Sequence, residues 1–184
     1  LTGISLNGGD LNMVAAGDMF ITGAISGASN VNLAPQTGSI DVAAAITVSS
    51  AVNLTTSGDI TGTELITAPD LILAVGSQAG SQATPLVLNV DNLSVTASAD
   101  GGEIIVDNTG DLTISALQTG DNGTIVATSS GHMTVDANIS IGDGSGRIDL
   151  QAQGGILTLN ENRSINAGTD SNSIYLQGFY GVVQ

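Results

Sequence analysis

The chain contains no cysteine, no tryptophan and no lysine. The missing cysteines exclude disulfides, cysteine-ligated zinc and thiol catalysis, and by themselves assign no compartment. With only two Phe and two Tyr in 184 residues, aromatic packing cannot build the core. The only side chains of fixed positive charge are Arg147 and Arg163, against 17 carboxylates, giving a formal charge of −15. Nucleic-acid binding needs cations that displace condensed counterions, so a nucleic-acid partner is excluded. An anionic membrane surface repels such a chain for the same reason. No apolar run approaches the roughly 20 residues that cross a bilayer, so no membrane insertion is expected.

What is present is aliphatic and small: Val, Ile, Leu and Ala, with 25 Gly and many Asn, Ser and Thr. A pair of apolar residues spaced i and i+2 recurs as Leu11/Met13, Val31/Leu33, Val52/Leu54, Leu71/Leu73, Leu93/Val95, Leu112/Ile114, Met133/Val135 and Leu157/Leu159. The steps between first members are 20, 21, 19, 22, 19, 21 and 24 residues. A period of this size marks a stacked solenoid. A second series comprises Met19/Ile21, Ile40/Val42, Ile104/Val106, Ile125/Ala127, Ile148/Leu150 and Ile174/Leu176. A third contains Ile25, Ile46, Leu65, Leu117, Ile139 and Ile165. Three short strands per rung, each with period-two alternation, predict an all-β parallel β-helix of about 20–22 residues per rung. Stacked strands sit about 4.8 Å apart, so eight or nine rungs make a rod on the order of 40 Å long.

Gly-Asp steps at Gly9-Asp10, Gly17-Asp18, Gly58-Asp59 and Gly110-Asp111 supply corner residues. The three prolines, Pro35, Pro69 and Pro85, fall outside the apolar pairs, as a missing N–H requires. Residues 76–85, rich in Ser, Gln and Gly, read as an insertion looped out of a single 1–184 solenoid segment. Beginning at Leu1 in mid-pattern, the chain reads as a mature piece or a segment of something longer.

The stretches Gly9-Asp10-Leu11-Asn12-Met13-Val14-Ala15-Ala16-Gly17-Asp18-Met19-Phe20-Ile21 and Gly110-Asp111-Leu112-Thr113-Ile114 resemble the repeats of filamentous-haemagglutinin-type bacterial exoproteins, many of them exported by two-partner secretion. The resemblance covers nearly the whole chain. It implies a right-handed helix, a secreted or cell-surface location, and a role in adhesion or biofilm matrix. The family's secretion-domain signature with its Asn-Pro-Asn motif is absent, so the resemblance is to the shaft and not to the export domain.

Candidate sites are few. Asp100, Asp121, Asp143 and Asp170 each lie four or five residues before a second-series strand. Stacked corners bring such carboxylates about one rung apart. Two readings follow: a calcium site built on Asp100, Asp121 and Asp143, or a set of solvated Asx turns. His132 stands in Gly131-His132-Met133 where other rungs have Gly-Asp-Leu, and reads as a corner residue. The outward row Asn12, Asn32, Asn53, Ile72, Ser94, Thr113, Thr134 and Thr158 reads as a solvent-facing ladder. On the second face, alternation leaves Ile105 and Val126 exposed side by side, and Tyr175 in the same row. These three are the candidate interaction residues. The tail holds three of the four aromatics, Tyr175, Phe179 and Tyr180, and reads as a cap, the start of another module or a self-association surface. Catalysis on polysaccharides needs carboxylates converging on one groove. The outward strand acids Asp41 and Asp149 are about five rungs apart, on the order of 24 Å. No enzyme is expected. The partner is expected to be a host or cell-surface glycan or protein, or a second copy of the chain.

Overall fold

The computed structural model describes residues 1–170 and 173–184. It contains twenty strands and no helix, wound as a β-solenoid of about nine turns. Neighbouring parallel strands normally need a long crossover. Here the crossover is the rest of the rung, so a residue pairs with the one about twenty positions on. Ile40 pairs Ile60, and Leu33 pairs Leu54.

This register stacks like on like. One inward column runs Ile25, Ile46, Ile66 and Leu88, and another runs Ile104, Ile125 and Ile148. All seven are almost fully buried. Burying each contributes about 1.5–3 kcal/mol relative to exposure. The residues between inward neighbours point out, as Asn32 does between Val31 and Leu33. β-Branched and aliphatic side chains suit such a narrow core because none is wide.

The cross-section changes along the rod. Through Val75, long strands such as Gly23–Pro35, Ile46–Thr55 and Ile66–Val75 wrap two faces, while Met19–Ile21, Ile40–Val42 and Ile60–Gly62 form the third. From Glu103 on, the second face has six-residue strands, Glu103–Asn108, Thr124–Ser129, Arg147–Ala152 and Ser173–Gly178, while Leu112–Thr119 still wraps the other two. Beyond Thr119 those faces shrink to pieces such as Met133–Val135 and Ile139–Ile141. The strand Leu86–Ala97 joins the two regions and pairs with three others.

Three details depart from the sequence reading. Ile66, and not Leu65, occupies the third inward column, and Leu65 is exposed. Leu117, Ile139 and Ile165 do not continue that column. They stack under Val95, because Leu93 pairs Ile114 and the register then slips past Ser115. The 76–85 segment stays partly in the ladder. Gln78 and Ala79 pair Glu103 and Ile104, and Leu86 resumes opposite Val106. Only residues 81–85 leave it, closed by reciprocal backbone bonds between Ser81 and Thr84 (3.0 and 3.1 Å).

Candidate functional site

The corners carry most of the polar chemistry, and it runs from rung to rung. The Asp18 carboxylate accepts the Ser39 N–H at 2.8 Å, the Ser39 hydroxyl accepts the Asp59 N–H at 3.0 Å, and the Asp59 carboxylate accepts the Gln78 N–H at 3.0 Å. The same relay recurs further along the rod. Asp111 accepts the His132 N–H at 2.8 Å, and His132 Nδ1 accepts the Ile156 N–H at 3.0 Å. His132 is thus a corner residue doing the work of an aspartate. An imidazole that accepts on Nδ1 carries its proton on Nε2.

The expected calcium column does not form a site. Asp100, Asp121 and Asp143 lie on successive corners: the Gly101 N–H donates to the Asp121 carbonyl at 2.6 Å, and the Asn122 N–H to the Asp143 carbonyl at 3.0 Å. The Asp121 carboxylate, however, turns along the stack to accept the Asp143 N–H at 2.7 Å. Asn122 does the same for Ser145 at 2.9 Å. Among the described residues no three His, Cys, Asp or Glu side chains come together as a metal would need. Neither sequence reading describes this bond, because an Asx turn closes within its own corner whereas Asp121 reaches a residue 22 positions on. The Asp170 backbone N–H bonds the Gly144 carbonyl.

The interaction row also differs from expectation. Ile105 is only 3% exposed, and Val126 is half-buried. Ile105 lies on the ladder row between the residues where the 81–85 excursion leaves and rejoins, so the insertion covers the side chain that alternation turns outward. Gly80 begins the excursion at φ +74°, and a Cβ there would stand 2.3 Å from the Ile105 carbonyl oxygen. Asp149, next in the row after Val126, is buried as well. Arg147 Nη2 donates to its Oδ2 at 2.7 Å and Gln151 Nε2 to its Oδ1 at 2.9 Å. Tyr175 is exposed and donates its hydroxyl to Gln177 at 2.9 Å.

On the first face the amide ladder is real but short. Asn32 donates to Asn12 and Asn53 to Asn32, both at 2.7 Å. It ends at Ile72, beside a shallow depression of about 240 Å³ lined by Asn53, Asp70, Ile72, Asn92, Ser94 and Ser115. Phe179 and Tyr180 pack edge to face at 4.9 Å and are both exposed.

One residue was not among the sequence candidates. Asn108 is 1% exposed. Its Oδ1 accepts the Val90 N–H at 2.9 Å, and its Nδ2 donates to the carbonyls of Val90, Thr109 and Asp111 at 3.1–3.3 Å. It sits where the Ile25 column ends, paired with Leu88. The signal was available: period two from Ile104 and Val106 turns residue 108 inward, although Asp107-Asn108-Thr109-Gly110 reads as a loop.

The surroundings of Asp136 favour its ionised form. The Asn160 amide first, and then the Arg163 guanidinium, hold its pKa below the ordinary value. Neither a family model, nor a curated protein, nor a solved structure matches this chain. The arrangement therefore speaks for itself: polar side chains are spent on neighbouring rungs, and the stack is what they build.

Proposed function

We propose that this chain is a stretch of the structural shaft of a large secreted or surface-attached adhesin or biofilm-matrix exoprotein of the filamentous-haemagglutinin type. The observation that carries the reading is the aliphatic core that runs from rung to rung, together with corner side chains that bond the next rung. In this reading the chain is a stiff, non-enzymatic spacer on the bacterial surface. It holds other modules, which read a glycan or a protein, away from the cell. Its high negative charge keeps it soluble.

A second reading rests on the parallel ladder itself, which repeats in register from rung to rung, as at Ile104, Ile125 and Ile148. An exposed rung is a pairing template, and subunits of this kind would stack end to end into extracellular filaments.

Denaturing electrophoresis and mass spectrometry of material from the native source separate the two. A parent polypeptide of hundreds of kilodaltons is the result expected for a shaft. A species near 18.2 kDa that assembles into filaments would replace the first reading by the second.

A further inference from the structure

One short joint in the stack is held at both ends by titratable side chains. Met133–Val135 pairs with Leu157–Leu159 in parallel, residue on residue. The residue just before the first strand, His132, accepts the N–H of Ile156 on Nδ1 at 3.0 Å. The residue just after it, Asp136, accepts the Asn160 amide on Oδ1 at 3.0 Å, with Arg163 Nη2 at 3.4 Å. A strand of three residues offers few ladder bonds of its own, and the two side-chain contacts bracket the backbone bonds from Met133 N–H to the Ile156 carbonyl and from Asn160 N–H to the Val135 carbonyl, both 3.0 Å.

We propose that this joint is an acid-released fastener, in which His132 holds the following rung only while its Nδ1 is unprotonated and the charge of Asp136 strengthens the other end. The chemistry is direct. A protonated imidazole carries hydrogen on both nitrogens and accepts nothing, so the Ile156 N–H loses its partner. A protonated Asp136 keeps weaker acceptors but loses its charge, and with it the pairing to Arg163. Other titratable groups meet this joint too. Asp111, on the preceding rung, accepts the His132 N–H, and Tyr180, on the following rung, donates its backbone N–H to the Gly155 carbonyl. The equivalent corners at Asp18 and Asp59 use a carboxylate in place of the imidazole, and a carboxyl group keeps an acceptor oxygen in either protonation state. They are internal controls.

The test is amide hydrogen exchange of the full chain by NMR across pH, corrected for the intrinsic rate, with the His132 ring nitrogens followed in the same samples. Protection of the Ile156 N–H is expected to fall about 2–10-fold in step with His132 protonation. Protection of Ser39 and Gln78 should not move over that interval. In His132→Asn, whose amide oxygen accepts without titrating, the step at Ile156 should vanish while its protection remains. Flat Ile156 protection through the His132 titration would overturn the proposal, as would an equal step in His132→Asn. Should that variant not fold, the native ring decides. Neutral His132 protonated on Nε2 supports the fastener, and protonation on Nδ1 excludes it.

Discussion

The rod has two halves that solve one packing problem differently. Before Val75 the long strands wrap two faces and the second face is three residues wide. From Glu103 the second face has six-residue strands, and beyond Thr119 the strands of the other faces have two or three residues. The inward residues are aliphatic in both, and both bury them almost completely. The lesson is that a solenoid needs only a continuous core. How each rung divides its length among faces is free to drift, provided that something seals the place where one division meets the next. Here Asn108 is that seal.

The comparison breaks most readily at this position. Asn108→Ala removes four hydrogen bonds and leaves the Val90 N–H and carbonyl buried without them. The expected loss is about 3 kcal/mol, at the upper end for a single substitution. Asn53→Ala, which removes one outward ladder bond in the first half, is expected to cost about 0.5–1 kcal/mol. Denaturant unfolding of both variants checks the ratio, and equal losses would remove Asn108 from its place as the seal.

Much of this architecture could be read in the sequence, and for a physical reason. Apart from Leu71/Leu73, which enclose Ile72, the first-series pairs enclose Asn, Ser or Thr, so period two and the repeat of about twenty residues are visible together. The partition into columns was not visible. Leu112/Ile114 and Leu117 both lie about twenty residues beyond Leu93/Val95, and spacing alone does not say which stacks on which. A single bulged residue, Ser115, decides it. Ile105 was misplaced for a related reason. Alternation turns it outward correctly, but whether an outward residue meets water depends on where residues 81–85 return. The corner aspartates were found, yet their geometry was not. A carboxylate that can coordinate calcium can equally accept a backbone N–H one rung away, and composition does not choose between the two.

The excursion itself sharpens the contrast. Gly80→Ala places a side chain at positive φ and against the Ile105 carbonyl, with an expected cost of about 1–3 kcal/mol. Deleting Ser81–Pro85 joins two adjacent ladder positions, so the stack should survive with a newly exposed Ile105, visible as binding of an apolar dye. In the parent protein, surface binding should persist after that deletion if the segment is a spacer, and be lost if the loop is the reader.

The smallest expected effect lies at Asp136. Its folded pKa lies below the unfolded value of 3.8, so its contribution is fully present above that pH and is lost as pH falls through the folded value. Asp136→Asn should therefore flatten the acid limb of a stability curve below about pH 4 and leave neutral pH nearly unchanged, as acid titration followed by circular dichroism would record.

The central claim is that the chain is a stiff spacer. The absence of native cysteine allows clean labelling, so a Val14→Cys, Val183→Cys double variant can carry a donor and an acceptor dye on exposed first-face residues at the two ends. Single-molecule energy transfer should give one narrow distance on the order of 40 Å, shortened by about 4.8 Å when a single repeat is removed. A broad distribution, or a distance indifferent to the number of rungs, would contradict the account.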